Sequence, residues 1–227
     1  MSLYIVATPI GNLDDISSRA LDTLKTVDLI LCEDTRVTKK LLFHYGIEKQ
    51  TKSFHQHSTH QRSKEIVDLL KQGMSMALVS DAGTPGISDP GGLLIERLVQ
   101  EAPEISIIPI PGPCALISAL SISGFPTDQF IFLGFPPHKK GRQKFFDRLC
   151  TIDSTVVFYE SKHRIEKTLL SLGERMPERH MMLCRELTKH YEHVYRGTVL
   201  QVTELLKTDS IKGEFVVVLS STRRKLL

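Results

Sequence analysis

The chain has 227 residues, enough for one large domain or two of about 110 residues, each able to bury a core without a metal or disulfide staple. Hydrophobic residues make up 41% and charged residues 24%, which excludes a disordered or fibrous chain and fits a soluble globular one. The net charge of +3 is uneven: residues 1–133 carry 11 Lys and Arg against 15 Asp and Glu, and residues 134–227 carry 18 against 11.

The start, Met1-Ser2-Leu3-Tyr4-Ile5-Val6-Ala7, has no basic lead and too short an apolar run for a signal peptide, so a cytoplasmic location is expected. Short apolar runs rich in Val, Ile and Phe predict strands at residues 3–7, 28–32, 76–79, 105–110, 130–133, 155–159, 181–184 and 215–219. Segments with helical spacing and charged outer faces lie between them, at residues 18–27, 35–44, 62–72, 91–101, 115–121, 142–150, 163–173 and 198–207. This alternation predicts an α/β fold class: two α/β domains with largely parallel sheets. A further strand near Tyr191–Arg196 would make the second sheet mixed. The stiff turn Pro109-Ile110-Pro111-Gly112-Pro113 marks the expected boundary, giving domains of residues 1–111 and 112–227.

The 23 uncharged residues between Glu104 and Asp128 have the length of a membrane span. Pro109, Pro111 and Pro113 remove three backbone donors there, and Ser118, Ser121 and Ser123 add polar groups, so a strand, a turn and a small-residue helix fit better; no membrane partner is expected. Cys32, Cys114, Cys150 and Cys184 contain no CxxC pair and predict buried thiols of a reducing compartment. His55, His57 and His60 have a spacing that suits no common metal site, and no metal is expected. The basic second half points to a polyanionic partner, since Lys and Arg gain affinity for phosphates by releasing counterions. Its densest cluster is His138-Lys139-Lys140-Gly141-Arg142-Gln143-Lys144, readable as a solvated linker or as a phosphate contact; Arg223-Arg224-Lys225 reads as a frayed tail.

In open α/β sheets ligands sit beyond the carboxyl ends of strands. Four such ends carry unusual residues: Thr8-Pro9-Ile10-Gly11-Asn12, Glu33-Asp34-Thr35-Arg36, the glycine- and proline-rich stretch from Ser80 to Gly92, and Pro111-Gly112-Pro113-Cys114-Ala115. Glycine lets backbone approach a ligand and proline fixes a loop beforehand, so a preformed pocket is expected. No GxGxxG follows a strand and no GxxxxGK[ST] exists, so a nucleoside-type ligand with an apolar body suits these loops better than one held by phosphates. Ser80-Asp81 lacks the G-x-S-x-G elbow of a hydrolase. Glu33 and Asp34 either cap a helix or face a substrate.

Read together, the loops resemble the tetrapyrrole methylase superfamily, and more closely its ribosomal RNA branch. The matching stretches are TPIGNL at 8–13, CEDTR at 32–36, SDAGTP at 80–85, IPGPCA at 110–115, GFPP at 134–137, FYES at 158–161, RELTK at 185–189 and KGE at 212–214, in order along nearly the whole chain. The resemblance implies two α/β domains with S-adenosylmethionine in the interdomain cleft and a homodimer methylating a cytidine 2′-oxygen of 16S ribosomal RNA; the assembled 30S subunit is the expected substrate. It implies cofactor contacts at Ile10, Asp81, Gly83, Thr84, Ile87, Cys114, Ala115, Tyr159 and Glu214. A base for the ribose hydroxyl is expected at Glu33 or Asp34, with Arg36, Arg185 and Lys189 holding phosphates or tuning that carboxylate; a lysine of depressed pKa is the alternative base. Two departures stand out: Ala7 replaces the family's usual glycine, and many members continue into a small C-terminal helical domain beyond the last strand. A precorrin-type C-methyltransferase and a non-catalytic RNA-binding module on the same scaffold are the competing expectations.

Overall fold

A computed structural model describes residues 1–55, 60–89 and 91–221, and the chain divides into two compact units, Met1–Cys114 and Ala115–Leu227. His57, Pro90 and the Arg223-Arg224-Lys225 tail lie outside the described residues.

In the first unit, β1 (Ser2–Val6), β2 (Leu29–Cys32), β3 (Thr51–Ser53), β4 (Ser75–Leu78) and β5 (Ser106–Ile110) form one sheet in the order β3-β2-β4-β1-β5. Every pairing is parallel. Parallel strands are covered on both faces, which is why they read as unbroken apolar runs. On one face Leu3, Ile5, Leu29, Leu31 and Leu78 pack with Ile66 and Leu70 of α3 (His60–Lys71) and Leu94 and Leu98 of α4 (Gly91–Glu101). On the other, Val6, Ile30, Cys32 and Ala77 pack with Leu24 of α1 (Ser18–Thr26) and Leu42 of α2 (Thr35–His44).

In the second unit, β6 (Phe130–Phe132), β7 (Thr155–Ser161), β8 (His180–Arg185), β9 (His193–Thr198) and β10 (Glu214–Leu219) run in the order β6-β7-β10-β8-β9. Only β6 and β7 pair in parallel; β7–β10, β10–β8 and β8–β9 are antiparallel. The sheet is therefore mixed, and the strand expected near Tyr191–Arg196 is β9. Residues 186–192 are too short a link for a parallel crossover, so β8 and β9 can only turn back on each other. Helices α5 (Ala115–Ser121), α6 (Arg142–Thr151), α7 (Ile165–Gly173) and α8 (Val199–Lys207) complete the unit. Its core joins Phe146, Leu149, Phe158, Leu169, Leu183, Val202, Phe215 and Val217.

None of the four cysteines is in a disulfide, and only Cys32 and Cys184 are buried; Cys114 is half-buried and Cys150 exposed, a correction to the expectation of four buried thiols. Cys150 sits near the end of an amphipathic helix, on its solvent side. Among the described residues no helix is long and apolar enough to cross a membrane.

Candidate active site

Three loops leave the carboxyl ends of β1, β4 and β5, and hydrogen bonds stitch them together. Thr8 and Gly83 form a short antiparallel bridge, Thr8 N donating to Gly83 O at 2.9 Å and Gly83 N to Thr8 O at 3.1 Å. The buried Thr8 hydroxyl donates to Ser80 O at 3.2 Å. Thr84 Oγ1 donates to Pro113 O at 3.0 Å. Gly83 has φ +83°, and a Cβ there would come within 3.2 Å of Ile10 Cγ2, so both backbone angle and space call for glycine. At Gly112 a Cβ would meet the Ala7 methyl at 3.0 Å. The alanine that departs from the family pattern is thus accommodated by the glycine opposite. Ser88 takes φ +64° without being glycine, and Asp89 braces its loop by accepting from Gly86 N at 2.8 Å and Gly91 N at 2.7 Å. Such strain persists only where surrounding structure enforces it.

At the end of β2 the adjacent carboxylates have different surroundings. Asp34 is the N-cap of α2: its Oδ1 accepts from Arg36 N at 2.8 Å, and both oxygens accept from the Arg36 guanidinium. Those bonds, the side-chain ones foremost, hold its carboxyl at about 2. Glu33 is half-buried and makes no hydrogen bond or ion pair among the described residues. Burial, and then the charges of Asp81 and Asp89, push its pKa up, with His55 opposing. Asp81 accepts from Asp34 N at 3.1 Å through Oδ1, and although the residue is largely exposed, partial desolvation of its carboxyl pushes its pKa up as well. Asp34 is thus a pinned anion, whereas Glu33 is a carboxylate with raised proton affinity and free lone pairs.

In the second unit, Tyr159 on β7 accepts through its hydroxyl from Leu116 N, at 3.2 Å, in the first turn of α5. Its ring meets Phe132 edge-on at 5.0 Å and Phe135 at 5.5 Å. Arg185 ends β8 and is buried; its Nη1 donates to Ser210 O at 3.1 Å, its Nη2 lies 3.5 Å from Asp209, and its Nε has no hydrogen-bond partner. Asp209 also accepts from Tyr195, whose phenol burial and this carboxylate push up to about 12. The stretch after Arg185 is bent by two non-glycine residues of positive φ, Glu186 (+51°) and Thr188 (+62°). Lys189 Nζ reaches Glu186 Oε1 at 2.9 Å and Glu214 Oε2 at 2.8 Å. Burial alone would lower the Lys189 pKa, but bonds to Glu214 and Glu186 outweigh it and the net shift is upward. The expectation of a lysine base with depressed pKa therefore does not hold for Lys189.

The first unit brings together Ile10, Gly83 and Thr84, with Pro113 beside Cys114; Asp81 and Ile87 are exposed on the same loop, and Glu33, Asp34 and Arg36 follow β2 into the start of α2, where Asp34 N donates to Asp81. The second unit joins Glu214 and Lys189 directly, and places Tyr159 against the start of the helix that Ala115 opens. Sequence reading assigns no role to Glu160 or Arg164, and counts Arg142 with the basic cluster as a phosphate contact or solvated linker. Glu160 is 1% exposed and paired with Arg164 at 2.8 Å and Arg142 at 3.7 Å, and Thr168 Oγ1 donates to it at 2.6 Å. Arg142 thus turns inward from the basic cluster. A glutamate inside the apolar run of β7 was the available signal, because a buried carboxylate demands cationic partners.

A family model described as Tetrapyrrole (Corrin/Porphyrin) Methylases matches residues 2–203, and the chain belongs to that family. Within it, curated relatives 41–48% identical to this chain bear the name Ribosomal RNA small subunit methyltransferase I. The relative from Halalkalibacterium halodurans is 44% identical over 99% of this chain and 78% of its own length. The one from Thermotoga maritima is 46% identical over 96% of this chain and 97% of its own length. Among solved structures, a diphthine synthase has a TM-score of 0.74 at 14% identity, covering 97% of this chain and 90% of its own. Uroporphyrin-III C-methyl transferase from Thermus thermophilus, complexed with S-adenyl homocysteine, has a TM-score of 0.66 at 14% identity, covering 97% of each chain. These two likenesses establish the fold.

Proposed function

We propose that the chain transfers a methyl group from S-adenosylmethionine to the ribose 2′-oxygen of a cytidine in 16S ribosomal RNA. The observation that carries this reading is 44–48% identity to proteins named Ribosomal RNA small subunit methyltransferase I across 95–99% of the chain. The assembled 30S subunit as substrate, a homodimeric state and a cytoplasmic setting belong to the same proposal.

The residues present suit the cofactor. Glu33, Asp81 and Asp89 create negative potential suited to a sulfonium cation, while Ile10 and Ile87 offer apolar contact. In the first unit Ile10, Asp81, Gly83, Thr84, Ile87 and Cys114 would hold it, and in the second Ala115, Tyr159 and Glu214. When bound, the sulfonium supplies an electrophilic methyl group open to in-line attack by an oxygen. Orientation of that oxygen contributes roughly 7–11 kcal/mol in well-positioned systems. Glu33 accepts the hydroxyl proton, because its lone pairs are free and its proton affinity is raised; Asp34, held at about 2, fixes the start of α2 and the Arg36 guanidinium beside it. Arg36, exposed, and Lys189, cationic and part-exposed, take phosphates, and Arg185 supports the Asp209-Ser210 turn.

The test offers methyl-labelled S-adenosylmethionine together with 30S particles, naked 16S rRNA or a uroporphyrin-type tetrapyrrole. Label in a cytidine whose 3′ linkage resists alkaline hydrolysis is expected. Label in the tetrapyrrole and none in RNA overturns the reading in favour of a C-methyltransferase. Failure to bind S-adenosylmethionine at all would leave only an RNA-binding module.

A further inference from the structure

The geometry points to a single-stranded RNA platform on the second unit, in which Phe135 stacks on an unpaired base and Lys139, Lys140 and Lys144 take the flanking phosphates. This rests on the RNA methyltransferase reading above and names the surface through which the strand is held.

Phe135 is half exposed, at 50%, although it is a large aromatic in the turn after β6. Exposure alone says little, since scattered surface apolars are common. What sets this ring apart is the rigidity of its support. Gly134, at φ +60°, accepts from Tyr159 N at 2.8 Å. Arg164 Nη1 donates to Pro136 O at 2.7 Å and Arg142 Nη1 to Pro137 O at 3.3 Å. Both guanidiniums are in turn anchored on the buried Glu160 carboxylate, and Arg142 Nη2 donates to Thr168 Oγ1 at 2.7 Å. Two prolines and a charged, mostly covered network thus fix a turn whose outward product is an aromatic face, with Tyr159 tilted against it at 5.5 Å. Rings held this way lose little entropy on stacking with a ligand.

The neighbouring residues supply the charge. His138, Lys139, Lys140 and Lys144 are exposed, and the three lysines make no ion pair among the described residues. Gly141, at φ +87°, is the N-cap of α6, whose first turn carries Lys144. An aromatic face beside unpaired lysines is the composition that grips single-stranded nucleic acid: stacking is sequence-tolerant, and the cations follow the backbone. A protein partner would instead require carboxylates to meet three lysines and an apolar seat for Phe135.

The experiment measures binding of the full chain to a short fluorescein-labelled single-stranded oligoribonucleotide by anisotropy across a salt series, with S-adenosylmethionine binding followed by calorimetry. Phe135→Ala is expected to weaken RNA binding roughly 5- to 150-fold at every salt concentration, leaving the salt slope unchanged, with Phe135→Tyr restoring it. Replacing Lys139, Lys140 and Lys144 by alanine is expected to flatten the log–log salt slope by about 2, from about 0.7 per phosphate contact. Wild-type binding by the Phe135→Ala chain, an unchanged slope in the triple variant, or no wild-type affinity for the RNA overturns the platform. If S-adenosylmethionine binding and ribose methylation persist in any of those cases, the platform fails while the methyltransferase reading stands; loss of both in the wild type sinks that reading itself.

Discussion

Glu186 occupies the space that a side chain at Gly213 would need: a Cβ there would lie 2.7 Å from Glu186 Oε1, the oxygen that accepts from Lys189 Nζ and from Glu214 N. Gly213 also sits at φ +111°, which side-chain-bearing residues rarely adopt. The KGE and RELTK stretches are therefore one structural unit, with the glycine of the first making room for the glutamate of the second.

Gly213→Ala is expected to destabilise the chain by more than about 1 kcal/mol, since it combines an unfavourable φ with a displaced carboxylate. Urea denaturation measures it. A midpoint equal to wild type would mean that the backbone relaxes freely at this position.

Glu33 gives a sharper contrast, because stability and activity should move in opposite directions. A carboxyl whose folded pKa is raised stabilises the folded state when protonated, and this contribution is lost as pH rises through the folded value. At neutral pH the Glu33 charge, disfavoured by burial and by Asp81 and Asp89, therefore works against folding. Glu33→Gln should raise the denaturation midpoint at pH 7, with the gain vanishing below the ordinary glutamate pKa of about 4.3. The same substitution should lower kcat by about 10²- to 10⁴-fold while S-adenosylmethionine affinity holds. Asp34→Ala should instead remove a helix cap, at about 1 kcal/mol, with the smaller loss of turnover. Equal turnover of Glu33→Gln and wild type would remove Glu33 as the proton acceptor.

Much of this arrangement was legible in the sequence. Helices at 35–44, 91–101 and 115–121 appear with the expected bounds, because clear amphipathic spacing and strong punctuation surround them. Strand β3 was missed: Thr51-Lys52-Ser53 is polar, short and half-buried at the sheet edge, so no apolar run announces it. Strand direction in the second unit is a tertiary property; Val, Ile and Phe runs look alike whether the neighbour is parallel or antiparallel. Glu33 and Asp34 are equivalent in sequence, and only the cap geometry with Arg36 separates them. Arg142 looked like one more cation in a basic cluster, and its inward turn follows from Glu160, eighteen positions on.

The Lys189 clamp should show itself as a pH window. The Lys189 pKa is raised in the folded state, so its contribution is complete below its unfolded value near 10.4 and is lost as pH rises through the folded one. Burial would raise the Glu186 pKa, but Lys189 and the Glu214 amide bring it below the ordinary value. Its contribution is present above about 4.3 and is lost as pH falls through the folded value. The stability difference between wild type and Lys189→Met should therefore stay level from about pH 5 to pH 10 and shrink on both sides. A difference constant from about pH 3 to pH 11 would show that the clamp contributes through packing rather than charge.

Glu160 tests how the Phe135 turn is held. Its carboxylate is enclosed, while both guanidiniums are mostly covered, so removing the anion leaves two cations poorly compensated in a low-dielectric setting. Glu160→Gln keeps the shape and one acceptor for Thr168 Oγ1 but not the charge. A loss of about 3–5 kcal/mol in unfolding free energy is expected, the range for a buried pair deprived of one partner. Arg164→Lys keeps a positive charge but gives up the fork that joins Glu160 to Pro136 O, and should cost less stability while loosening the turn. Hydrogen exchange separates the two effects: in Arg164→Lys the Tyr159 amide, which donates to Gly134 O, should exchange faster although the core strands remain protected. Unaltered exchange at Tyr159 would mean that the prolines alone keep the turn in place and that the arginines are there for Glu160.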